Sequence, residues 1–126
     1  MDDLNEMNIM GRITTDIRGG TTENGADYVF FSVATNEYYQ DKNGERQQKT
    51  TFHSITAWRK WADIVDKINL QKGDLVMIRG SLDYEEYKGT KYPKIKLASK
   101  SARLQFISRP TKKPDNDSNF EEDIIG

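Results

Sequence analysis

Arg59-Lys60-Trp61-Ala62-Asp63-Ile64-Val65-Asp66-Lys67-Ile68-Asn69-Leu70 is the stretch in which the hydrophobic period of this chain changes. Trp61, Ile64, Val65 and Ile68 recur at helical spacing, and Asp63, Asp66 and Lys67 are left for a wet face. On either side the period is that of strands. Upstream, Lys49 through Trp58 reads as a strand, and so does Tyr28-Val29-Phe30-Phe31-Ser32-Val33-Ala34-Thr35, rich in β-branched and aromatic residues. Asp41-Lys42-Asn43-Gly44-Glu45 between them carries an Asn-Gly hairpin signal. Met7 to Ile17 is a first strand with a bend or bulge at Gly11, and the glycine-rich run from Gly19 to Gly25 reads as a loop. Downstream, Leu75-Val76-Met77-Ile78-Arg79-Gly80-Ser81-Leu82 resumes strand character, with a glycine that permits coiling, and runs on to Tyr87. Lys88-Gly89-Thr90 turns the chain into Lys91 to Ser99, where Ile95 and Leu97 alternate with Lys94 and Lys96.

Three strands, a helix and two further strands, with glycines where strands must bend, is the order of an all-β, five-stranded Greek-key barrel, the OB-fold, with its helix between strands three and four. This domain is expected over residues 1–107. From Ser108 onward Pro110, Pro114 and a polar run predict a flexible, disordered tail over 108–126, unable to bury enough surface to fold alone.

At 126 residues the chain fits one domain with appendages. It has no cysteine, so disulfides and thiolate metal sites are excluded, and no apolar run approaches the length of a membrane span. The acidic start Met1-Asp2-Asp3 lacks the features of a signal peptide, which makes a cytoplasmic protein the expectation. Net charge is −1, but its distribution is uneven. Residues 79–103 carry seven basic and three acidic side chains, whereas residues 108–126 carry three basic and five acidic ones.

Catalysis is poorly served, with one histidine, no phosphate-cradling glycine loop and no nucleophile–base pairing, so no enzyme activity, cofactor or metal is expected. Asp115 to Gly126 opens like a calcium loop, but Phe120 stands where glycine is needed and Gly126 where the bidentate glutamate belongs. His53, on the strand face opposite Phe52, reads as a core or subunit-contact residue, because nothing nearby orients it as a base.

The aromatics are more informative. Phe52 and Trp58 share strand parity with Ser54 and Thr56 between them, while Ile55 and Ala57 face the other way. Tyr38 and Tyr39 close the second strand, Tyr84 and Tyr87 the fourth, and Tyr92 shares parity with Lys94 and Lys96. Rings beside exposed cations form a surface on which bases stack while phosphates are neutralised, although each tyrosine alone is also an ordinary strand residue.

Met7-Asn8-Ile9-Met10-Gly11-Arg12-Ile13, Phe31-Ser32-Val33-Ala34-Thr35-Asn36, Phe52-His53-Ser54-Ile55 and Lys72-Gly73-Asp74-Leu75-Val76-Met77-Ile78-Arg79-Gly80, in that order, resemble bacterial single-stranded-DNA-binding proteins. The resemblance spans residues 6–107. It implies a coat for single-stranded DNA, largely indifferent to sequence, in replication, recombination and repair. By position it makes Tyr39, Phe52, Trp58 and Tyr87 base-stacking residues, to which the pattern adds Tyr92. It places phosphate contacts at Lys42, Lys60 and Lys72, beside the Lys94 and Lys96 of the basic face. It also implies a homotetramer with His53 near a subunit contact, and a nucleoid-associated location in the cytoplasm. An OB-fold adaptor for other proteins and an RNA-binding OB protein are the rival readings.

Two departures from the family pattern stand out. Asp83, Glu85 and Glu86 precede Tyr87 where relatives often carry arginine or lysine, and the tail ends on Gly126 instead of Pro-Phe. Phe120, Glu121, Glu122, Asp123, Ile124, Ile125 and Gly126 nevertheless keep acid and oil. Ile124 and Ile125 can fill an apolar pocket of a genome-maintenance partner while the acids and terminal carboxylate meet its basic groups. The same composition also suits a solubilising tail that competes with DNA for the basic face.

Overall fold

A computed structural model describes residues 3–111 of the chain. The elements are β1 (Met7–Ile13), β2 (Arg18–Thr21), β3 (Asp27–Gln40), β4 (Arg46–Trp58), α1 (Lys60–Lys67), β5 (Leu75–Tyr87), β6 (Thr90–Leu97) and β7 (Arg103–Ser108). Five of these strands close a barrel in the order β1-β3-β4-β6-β5, with β5 pairing back onto β1. Every contact in the ring is antiparallel except β4 with β6, which is parallel. The helix falls between the third and fourth barrel strands, so the expected OB architecture is present. Two strands stand outside that expectation. β2 pairs with the start of β3 over a segment expected to be a loop, and β7 pairs with β5. All four residues of β2 are exposed, and β7 buries only Leu104 in part, so neither element leaves a hydrophobic period in the sequence.

Two glycines allow the ring to close. β1 leaves β5 and joins β3 around Gly11, where Gly11 opposes Val76 and Arg12 opposes Ala34. A Cβ on Gly11 would stand 2.1 Å from the Ala34 carbonyl oxygen. At the other corner β5 pairs with β1 up to Gly80 and with β6 from Ser81. A Cβ on Gly80 would lie 2.6 Å from the Lys96 carbonyl oxygen. Both corners bring a neighbouring backbone closer than any larger residue permits.

Inside the ring Ile13, Phe31, Val33, Ile55, Ala57, Val76, Ile78, Ile95 and Leu97 form the core. Each fully buried large aliphatic side chain among them contributes about 1.5–3 kcal/mol. α1 packs against β3 and β4, burying Trp61, Ala62 and Val65. The Trp61 indole N–H donates to the Ser99 carbonyl at 3.2 Å. Ile68, expected on the buried face, is exposed. The helix ends at Lys67, Asn69 turns left-handed at φ 54°, and Leu70 takes the buried place instead.

Among the described residues the one fully buried carboxylate is Asp74, just before β5. Arg109 donates to both of its oxygens, from Nε at 2.8 Å and Nη2 at 3.0 Å, and the Gln71 backbone N–H donates at 2.8 Å. Burial raises the Asp74 carboxyl, but the hydrogen bonds from Arg109 and Gln71 and the charges of Arg109 and Arg12 outweigh it and hold the group below its ordinary value of 3.8. A carboxyl depressed in the folded state stabilises above its unfolded value and loses that contribution as pH falls through the folded one. Asp74→Asn is therefore expected to cost about 1–3 kcal/mol in urea unfolding at neutral pH. The gap to the parent protein should narrow from about pH 4 downward. A gap that stayed constant into acid would show that the charge contributes nothing.

Candidate nucleic-acid interface

The register of β3 and β4 builds the site. From Tyr28 opposite Trp58 to Gln40 opposite Arg46 the two strands pair without a shift, every pair equidistant in sequence from Asn43. The turn that sets this register is held by Asp41, whose carboxylate accepts the backbone N–H groups of Glu45 and Asn43 and the side-chain amide of Gln47. The Glu45 N–H does most to hold the Asp41 carboxyl below its ordinary value, against a smaller opposing effect of burial.

Side chains alternate along this ribbon. Phe31, Val33, Ile55 and Ala57 point into the core, which leaves Tyr28, Phe30 and Ser32 of β3 on the outer face with Phe52, Ser54, Thr56 and Trp58 of β4. The rings gather at one end of that face. Tyr28 lies 5.4 Å from Trp58 between ring centroids and 6.4 Å from Phe30, the latter pair nearly parallel at 18°. Such pairs sit within the range of favourable aromatic contact.

Around these rings opens a cleft of about 1030 Å³. Its floor is Tyr28, Phe30, Ser32, Ser54, Thr56 and Trp58; Tyr87, Tyr92, Pro93 and Lys94 form one wall with Glu85, and Thr15, Asp16, Arg18 and Thr22 form the other. Of the expected stacking residues, Trp58, Tyr87 and Tyr92 meet here. Phe52 lies on the same face of β4 but further along the ribbon, 67% exposed and outside the cleft. Tyr39, opposite Gln47, falls on the other face of the hairpin. Tyr28, Phe30 and Arg18 are cleft residues the sequence reading missed. The Asn-Gly turn held the signal for the first two, since positions equidistant from Asn43 place Tyr28 beside Trp58 and Phe30 beside Thr56.

The cations are more dispersed than the rings. Lys94 lines the cleft, ion-paired with Glu85, and Lys96 reaches Asp83 at 3.9 Å. Lys42 sits in the hairpin turn, Lys60 at the start of α1 with its ammonium 5.1 Å from the Trp61 ring, and Lys72 before β5; all three are exposed and none lines the cleft. His53 opposes Val33 on the core-side face and shares a 2.8 Å hydrogen bond between Nε2 and Thr35 Oγ1. Partial burial lowers its pKa, which favours the neutral ring. Residues 120–126 lie outside the described residues. Among the described residues no group of three or more His, Asp or Glu side chains is placed to hold a metal ion, and no helix is long and apolar enough to cross a membrane.

A closed five-stranded Greek-key barrel with a helix between its third and fourth strands defines an OB domain, and an aromatic cleft lies across its β3 and β4. A model of the single-strand binding protein family matches residues 4–106, and the chain belongs to that family. It is 38% identical over 86 residues to the single-stranded DNA-binding protein of Neisseria meningitidis serogroup A, covering 68% of this chain and 49% of that one. It thus spans about half the length of the Neisseria relatives it matches. Similarity to single-stranded DNA-binding protein 2 of Chlorobaculum tepidum is 30% identity over 128 residues, covering 98% of this chain and 84% of that one. Among solved structures, the Plasmodium falciparum SSB complex with ssDNA superposes with a TM-score of 0.73 at 28% identity, covering 86% of this chain and 98% of that one.

The two tryptophans should report separately on this arrangement. Trp58 lines the cleft, whereas Trp61 is 6% exposed beneath the barrel. In a Trp58→Phe protein the remaining emission is expected to be blue-shifted and resistant to iodide quenching, and in Trp61→Phe it should be red-shifted and readily quenched. Equal quenching of both would place Trp58 elsewhere.

Proposed function

We propose that this chain binds single-stranded DNA through the cleft, largely without sequence preference. The observation that carries the reading is the cluster of Tyr28, Phe30 and Trp58 on the outer face of β3 and β4, walled by Tyr87 and Tyr92. Every base has a π face, so stacking on such rings tolerates any sequence and contributes about 1–3 kcal/mol per base. The small hydroxyls of Ser32, Ser54 and Thr56 between the rings leave room for a base edge to lie flat. Family membership and the relative solved with ssDNA support the same ligand.

In this reading Phe52 continues the stacking path along the ribbon and Tyr39 carries it round the hairpin, while Lys42, Lys60, Lys72 and Arg18 accompany the phosphates, and Lys94 and Lys96 flank the path paired with Glu85 and Asp83. The protein acts in replication, recombination and repair, in the cytoplasm at the nucleoid. Residues 1–107, continued by Ser108 of β7 and by Arg109 on Asp74, form the binding domain, and the remainder of the expected 108–126 tail recruits genome-maintenance proteins through residues 120–126. Several copies share one strand as a homotetramer with His53 near the contact between copies. The neutral ring that burial favours at His53 suits an apolar junction of that kind.

Fluorescence titration with oligo-dT tests the reading. Trp58→Ala and Phe30→Ala should each weaken binding by about 1–3 kcal/mol, tenfold or more in Kd for most of that range. Tyr39→Ala and Phe52→Ala measure how far the strand extends beyond the cleft. Absence of oligo-dT binding at low salt, or equal preference for duplex, overturns the proposal.

A further inference from the structure

The charges around the cleft are arranged unlike those of a surface built to attract phosphate. Its lining holds two cations, Arg18 and Lys94, and two anions, Asp16 and Glu85, so its formal charge is zero. On the outer face of the β5–β6 hairpin Asp83 opposes Lys94, Glu85 opposes Tyr92 and Ser81 opposes Lys96. Each acid reaches diagonally to the lysine one pair away, Glu85 to Lys94 and Asp83 to Lys96, which is the reach expected of long side chains across neighbouring pairs. Exposure decides what a ligand meets first. The Lys94 side chain is 17% exposed and its partner Glu85 64%; Lys96 is 40% exposed and Asp83 51%. A polyanion approaching this wall encounters carboxylates before ammonium groups.

We propose that Glu85 and Asp83 are specificity determinants, a carboxylate screen that makes entry along this wall depend more on bases than on phosphates. The inference rests on the single-strand reading of the cleft. A duplex keeps its base faces stacked inside, so its sequence-independent affinity comes from counterion release at lysines and arginines. With Lys94 paired to Glu85 and Lys96 facing Asp83, that route gains less at this wall. A single strand brings base faces to Tyr28, Phe30, Trp58, Tyr87 and Tyr92 and obtains stacking energy that the carboxylates leave untouched. The screen thus costs some affinity for every polyanion and returns discrimination.

The test compares the parent protein with Glu85→Gln and Asp83→Asn, titrated with oligo-dT, with a duplex of equal length and with heparin at several salt concentrations. Each variant should bind all three ligands more tightly at low salt, with a larger fold gain for duplex and heparin than for oligo-dT. Each lysine freed should steepen the salt dependence on oligo-dT by about 0.7 in log–log slope, so that a tenfold dilution of salt widens the variant's advantage by roughly fivefold. Glu86→Gln, on the opposite face of β5 across from Lys91, removes the same charge and should produce the smaller shift. Equal gains for all three ligands, no change in slope, or an equal effect from Glu86→Gln would overturn the screen. If the parent protein binds no oligo-dT, it is the single-strand reading that fails, while a change in heparin binding still reports on the carboxylates.

Discussion

Closure of the barrel at Gly11 and Gly80 is the constraint on which the other features depend. A five-stranded ring is tightly curved, and a strand can serve two neighbours at a corner only if the incoming backbone comes closer than a Cβ allows. At Gly11 the Ala34 carbonyl occupies that space, and at Gly80 the Lys96 carbonyl does. Because the ring closes, one face of each barrel strand is sealed into the core, and the other face of β3 and β4 must present whatever it carries. The cleft therefore belongs to the outside of a closed surface whose inside is committed to Ile, Val, Leu and Phe.

What the outer face presents is settled by the hairpin between β3 and β4. The Asp41 carboxylate ties the turn, the turn fixes the register, and the register brings Tyr28 and Phe30 alongside Trp58 and Thr56. The β5–β6 hairpin does the same for the wall, setting Tyr92 opposite Glu85 and Lys94 opposite Asp83. Apart from Thr56, neither hairpin fully buries a side chain of its outer face, so the side chains there answer to ligand chemistry with few packing demands. Ring and charge can be distributed independently, rings on the floor and ion pairs on the wall.

Those two levels differed in how far the sequence exposed them. The five barrel strands and the helix were legible because each has a buried stripe: alternation in Phe31, Val33, Ile55 and Ala57, and the helical spacing of Trp61 and Val65. β2 and β7 were not, since they are held by backbone pairing along one edge with little burial, and a Gly-Gly pair carries no side-chain signal. Within the cleft, Trp58 and Tyr87 were legible from the family resemblance together with their aromatic character, and Tyr92 from its parity with Lys94 and Lys96. Tyr28 and Phe30 required the register, and Arg18 required a strand that the sequence did not announce. The basic character of residues 79–103 was legible as a sum, but the pairing of Lys94 with Glu85 and Lys96 with Asp83 is a cross-strand relation that a linear charge tally cannot express. Arg109, whose guanidinium closes over Asp74, is likewise a contact between positions far apart in the chain.

The unbroken pairing of β3 with β4 also constrains how this ribbon can vary among descendants of the same gene. Without a bulge to absorb a slip, one residue gained or lost inside either strand would exchange the two faces beyond that point, sending Phe30 or Thr56 toward the core and Phe31 or Ile55 into the cleft. Length changes in the ribbon are tolerable at its tip, around Lys42 and Asn43, or in steps of two. The hairpin can grow or shrink as a finger, but its palm has a reading frame.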